Sequence, residues 1–146
     1  ATPEAQCLGT HVLEMELISH DADVIESGAF IEAYQFPVPW TVRQTSVHGG
    51  KLPANHAFLE WEGDRLAFSA LKLGEENEDL MFRVFNVSTA EPATLSVTPS
   101  FQVNGVYEST IIEQRGEEMG RNEQSRYTVE LGPAKIQTVG IRTALR

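Results

Sequence analysis

Residues 19–23 read Ser-His-Asp-Ala-Asp, a histidine and two carboxylates within five positions. Those are the groups that hold a metal or activate a water. A catalytic zinc needs three or four N, O or S ligands converging on it with one position left open, and His11, His48 and His56 stand at none of the paired spacings that would complete such a set. The stretch is therefore predicted to be structural, with His20 closing a strand and Asp23 capping a helix. A second acidic run, Gly-Glu-Glu-Asn-Glu-Asp at 74–79, lacks the alternating carboxylates and distal glutamate of a calcium loop and is predicted to be a solvated hairpin tip. Glycoside hydrolysis needs two carboxylates facing each other across a cleft; the sequence supplies many carboxylates and nothing that pairs two of them. The chain contains no G-x-S-x-G elbow, P-loop or G-x-G-x-x-G, and Cys7 has no nucleophile context. No catalytic and no metal-ligating residue is assigned.

Two further features invite a functional reading. Asn86-Val87-Ser88 matches a glycosylation acceptor, but is predicted to be a strand end before a turn. Trp40, Trp61 and Tyr107, with Phe58 and Tyr127, could stack on a sugar ring, and the first three are the candidate sugar-facing aromatics. Burial is the commoner fate of aromatics in strands, because each removes a large apolar area from water. A carbohydrate-binding β-sandwich module is accordingly the alternative reading.

Elements that would carry these residues follow from periodicity. In HVLEMELI the apolar Leu13, Met15 and Leu17 alternate with Glu14 and Glu16, the period-two pattern of a strand with one wet face. From Asp23 the spacing of Val24, Ile25, Ala29, Phe30 and Ala33 turns helical, with Asp23 and Glu26 placed as a capping box. Pro37 and Pro39 end that helix, and the glycines and proline of VHGGKLPAN predict an exposed connection. Beyond Ala57 come short apolar runs divided by turn residues: AFLEWE, RLAFSALKL, LMFRVFNVS, ATLSVT, FQVNGVYESTII, RYTVEL and KIQTVGIR. They predict a meander of hairpins closing into an antiparallel β-sandwich. The fold expected is mainly β, with one short connecting helix near the N-terminus. Its parts are a terminal strand and helix of a preceding β domain over 1–44, a linker over 45–56 and the sandwich over 57–146.

At 146 residues the chain has the length of one domain and can bury a core without disulfides. Its formal charge of -10 repels nucleic acid and anionic membrane surfaces. With a single cysteine and no apolar stretch long enough to span a bilayer, a soluble, cytoplasmic protein is expected. It opens at Ala1, as a processed product or a piece of a larger chain does.

Three stretches carry a family resemblance along most of the length. CLGTHVLEMELISHDAD, LPANHAFLEWEGDRLAFSALKLGEENEDLMFRVFNVS and YTVELGPAKIQTVGIR resemble, in order and spacing, the C-terminal region of glycoside hydrolase family 38, the α-mannosidases. The middle stretch is the most specific, with its S-A-L-K strand, acidic loop and closing R-x-x-N. The resemblance implies a parent enzyme that hydrolyses α-mannosides with retention, using a catalytic domain that holds zinc and lies N-terminal to this region. No segment here resembles that domain, so this chain is expected to be non-catalytic and free of cofactor, stabilising and orienting its catalytic partner. The resemblance also makes residues 13–17 a remnant of the preceding β domain. Its uncovered apolar face would fold onto the sandwich or, more readily, drive homo-oligomers.

Overall fold

A computed structural model describes residues 8–124 and 126–144. It divides into two compact units, Ala1–Trp40 and Thr41–Arg146. In the first, helix α1 spans Ala29–Gln35. It begins later than the periodicity predicts, because Gly28 takes a left-handed conformation (φ 74°) and separates the helix from a turn over 24–27. Asp23 still does local capping work: its Oδ1 accepts the Ile25 N–H at 2.8 Å, inside that preceding turn. The strand expected over residues 11–18 does not form. A strand is stabilised by the ladder of a neighbour, and none of the described residues pairs with this segment. Leu13, Met15 and Leu17 are almost wholly exposed.

The second unit is a β-sandwich. Eight strands form it: β1 (Leu59–Glu62), β2 (Leu66–Leu73), β3 (Leu80–Asn86), β4 (Ala93–Pro99), β5 (Val103–Ser109), β6 (Arg115–Glu118), β7 (Tyr127–Leu131) and β8 (Ile136–Thr143). They make a three-stranded sheet in the order β1-β4-β7 and a five-stranded sheet in the order β2-β3-β8-β5-β6, all pairs antiparallel. Period-two burial is plain in β4, where Ala93, Leu95 and Val97 are buried and Thr94, Ser96 and Thr98 are not. The core between the sheets joins these to Leu66, Phe82, Val84, Val106, Tyr127, Leu131, Val139 and Ile141. Each such fully buried aliphatic side chain contributes about 1.5–3 kcal/mol.

The expected meander is corrected by the pairing. Only β2–β3 and β5–β6 are hairpins between consecutive strands, while the other five connections, β1–β2, β3–β4, β4–β5, β6–β7 and β7–β8, pass from one sheet to the other. Two of these crossings, β1–β2 and β7–β8, carry a left-handed residue, Arg65 (φ 60°) and Ala134 (φ 52°). Strand β6 escapes the sequence patterning because Arg-Gly-Glu-Glu is exposed throughout and has no apolar face. Among the described residues no helix is long and apolar enough to cross a membrane.

Candidate functional site

The five-stranded sheet turns one face to the core and the other outward. Outward-facing side chains converge where the 74–79 loop, between β2 and β3, meets the turn between β5 and β6. Tyr107 organises one end of this region. It stands opposite Gly140 of β8, which itself stands opposite Met81 of β3, and its ring lies across the glycine so closely that a Cβ there would sit 2.2 Å from Cζ. The phenol donates to Asp79 Oδ2 at 2.8 Å. The Arg115 guanidinium stacks 4.9 Å from the ring centroid. Only 1% of Tyr107 is exposed.

Burial, helped by the hydrogen bond to Asp79, pushes the Tyr107 phenol up to about 12 from an ordinary value of 10.0. A group whose folded pKa is raised adds stability in full below its unfolded pKa and loses it as pH climbs through the folded one. The native state should therefore weaken between pH 10 and 12, where the unfolded chain ionises this tyrosine and the folded chain resists. Denaturant unfolding of the wild type and Tyr107→Phe across that window checks this: the variant should lack that part of the alkaline loss, and parallel curves would remove Tyr107 as its source.

At the other end of the region lies a cleft of about 600 Å³. Lys72 Nζ binds Glu113 Oε1 at 2.7 Å and Glu75 Oε1 at 2.9 Å, and Glu113 Oε2 accepts the Glu75 N–H at 2.8 Å. Glu113 is thus a clasp between the two loops, presented from a left-handed backbone (φ 66°). The Lys72 ammonium, then the Glu75 N–H, hold its carboxyl below the usual carboxylate range, and Glu113 followed by Glu75 raises the Lys72 amine. The clasp is charged and closed at neutral pH. Arg83 forms the floor, donating through Nε to Thr138 Oγ1 at 2.9 Å and through a terminal nitrogen to the Ile111 carbonyl at 2.8 Å. Nothing in the sequence singles out this arrangement, because Lys72, Arg83 and Glu113 meet only through strand register and a loop 38 residues from Glu75.

The candidates taken from sequence fall elsewhere. Trp61 is half-buried in the three-stranded sheet, tilted over core Phe82 at 5.7 Å, and Tyr107 is buried in the five-stranded one. Trp40 is 97% exposed and belongs to the first unit. The two sandwich aromatics lie in different sheets and make no common platform. In Ser19–Asp23 the polar groups serve the local backbone: His20 Nδ1 lies 2.7 Å from the Ala22 carbonyl, and Asp23 binds the Ile25 N–H. Among the described residues no group of three or more His, Cys, Asp or Glu converges on a metal position; Cys7 lies outside them. In the 74–79 loop, Glu75 pairs with Lys72 and Asp79 accepts from Tyr107. Asn86 of the glycosylation triplet is 2% exposed and donates through Nδ2 to the carbonyls of Glu91 and Gly132, so its amide is a structural tie. A serine–histidine contact, Ser100 Oγ to His56 Nε2 at 3.2 Å, is exposed, and the Phe58 carbonyl stands 3.1 Å from the same hydroxyl. It closes the approach to β1 onto the end of β4.

Comparison with known proteins agrees with this architecture. A protein of Halalkalibacterium halodurans named "Putative mannosylglycerate hydrolase" is 31% identical over 138 residues, which is 94% of this chain and 15% of that protein. The chain thus spans about a seventh of the length of the curated relative it matches. No solved structure matches it. Residues 65–139, just over half the chain and running from the β1–β2 crossing into β8, match the glycosyl hydrolases family 38 C-terminal beta sandwich domain. With that match over the strands just described, the chain belongs to the family 38 C-terminal β-sandwich domains.

Proposed function

We propose that this chain is the non-catalytic terminal β domain of a larger retaining glycoside hydrolase that cleaves an α-mannosyl bond, and that it stabilises and orients the catalytic domain. The observation that carries this reading is the lopsided coverage, nearly all of this chain against a small part of the relative. That relative's name supports mannosylglycerate as the substrate class of the whole enzyme. An apolar surface at the sheet edge fits a domain that packs against others. Phe68, Leu71 and Leu73 of β2 stand opposite Val84, Phe82 and Leu80 on the core-side face, yet remain exposed. The described residues offer zinc no ligand set, so no step through a metal is assigned to this chain. The sugar-binding module is the weaker reading, since Tyr107 is buried and Trp61 packs on the core.

The purified chain should turn over neither mannosylglycerate nor an aryl α-mannoside, with or without added zinc. A full-length enzyme lacking the segment equivalent to 57–146 should lose activity together with thermal stability. Turnover by the isolated chain overturns the proposal, as does a truncated enzyme with unchanged activity and melting temperature.

A further inference from the structure

The Arg83 cleft has one feature that the clasp beside it does not explain. Glu113 uses both carboxylate oxygens, on Lys72 and on the Glu75 N–H, and Lys72 is shared between the Glu113 and Glu75 carboxylates, so the clasp itself carries one net negative charge. Arg83 is half-buried at the floor, fixed by two neutral acceptors, Thr138 and the Ile111 carbonyl. Among the described residues no carboxylate lies within ion-pair distance of it, although its charge acts at longer range on the Glu113 carboxyl. A partly desolvated guanidinium held in place, with donor capacity left over, is arranged to receive an anion, and its planar fork matches a carboxylate.

We infer that this cleft binds a small hydroxycarboxylate, its carboxylate on Arg83 and its hydroxyls on the amides of Asn77 and Gln114 at the rim. The volume of about 600 Å³ falls in the range of small-molecule sites. Ile111 and Ile112 add an apolar stretch to the lining, both of them exposed. Glu75, Glu76 and Glu113 also line the cleft and oppose an anion. Glu75 and Glu113 are held on Lys72, Glu76 is exposed and screened by salt, and a carboxylate on Arg83 would be in direct hydrogen-bonded contact. The inference is independent of which substrate the whole enzyme takes, and its failure leaves the domain assignment standing.

The test is nuclear magnetic resonance titration of this chain with D-gluconate, using acetate and uncharged methyl α-mannoside as comparisons. Gluconate should give saturable shifts at Ile111, Glu113 and Thr138, tighter than acetate, and methyl α-mannoside should give none. Arg83→Gln should weaken gluconate about tenfold or more, the loss of one charged hydrogen-bonded contact. Because Arg83→Gln also removes ties to Thr138 and Ile111, Glu76→Gln at the rim supplies a second arm that leaves those ties intact and should tighten binding. No saturable gluconate shift overturns the inference, and so does methyl α-mannoside binding that survives Arg83→Gln. Acetate binding as tightly as gluconate overturns the ligand class.

Discussion

Gly140→Ala should destabilise the sandwich by about 3 kcal/mol, the upper part of the usual range for forcing an extra methyl into a packed site. The new Cβ would lie 2.2 Å from Tyr107 Cζ and 2.6 Å from its hydroxyl oxygen. The ring has no easy retreat, because its hydroxyl is tied to Asp79 and its face is covered by Arg115. Gly140 needs no left-handed backbone, so the cost is steric and not conformational. Denaturant unfolding measures it, and a double-mutant cycle identifies its source. In a Tyr107→Leu background, whose side chain ends short of the glycine's far side, Gly140→Ala should cost under half as much. Equal costs in the two backgrounds would falsify the ring-on-glycine account.

Asn86→Ala is expected to be comparably severe, at about 3 kcal/mol, since it strands one buried and two part-buried backbone groups at about 1–3 kcal/mol each before relaxation, the part-buried ones at the low end. Asn86 Nδ2 donates to the Glu91 carbonyl at 2.8 Å and to the Gly132 carbonyl at 3.1 Å, while Oδ1 accepts the Ser88 N–H at 2.9 Å. These bonds tie the end of β3 both to the connection leading into β4 and to the β7–β8 crossing. Asn86→Asp keeps the shape and the acceptor but turns a carboxylate oxygen toward two carbonyl oxygens. Its introduced carboxyl should titrate above the usual carboxylate range in the folded state, because only the protonated form can donate to either carbonyl. Stability of Asn86→Asp should consequently rise as pH falls through that raised pKa, opposite to the trend expected for a paired carboxylate. Thermal melts over the acidic range decide the matter. A pH-independent deficit relative to wild type, or a loss below 1 kcal/mol for Asn86→Ala, would show that the tie is dispensable.

Most of the strand content was legible because burial against a second sheet imposes a period of two. In ATLSVT the inward positions had to be apolar and the alternation showed, whereas LMFRVFN stood out as a nearly continuous apolar run covered on both faces. Strand β6 was not legible, since both its faces are wet and no constraint marked its residues. The segment 11–18 misled in the opposite direction. Its alternation is genuine, but a strand also needs a partner, and no described residue supplies a ladder. Gly28 shortened the expected helix for a local reason, its left-handed backbone, that composition alone suggested only weakly.

What the sequence by itself determined is the mainly β class, the position of seven of the eight strands, and membership of the family 38 C-terminal domains through three ordered stretches. Those properties reside in local periodicity and in residue order, both readable along the chain. Only the tertiary structure decided which strands share a sheet, that Tyr107 is spent across Gly140, and that Lys72, Arg83 and Glu113 border one cleft. Each depends on positions brought together by strand register and by the connections that pass between the two sheets, two of which turn through left-handed Arg65 and Ala134. Side chains one residue out of register point to the opposite face of a sheet, so residue types alone could not say which of them would meet.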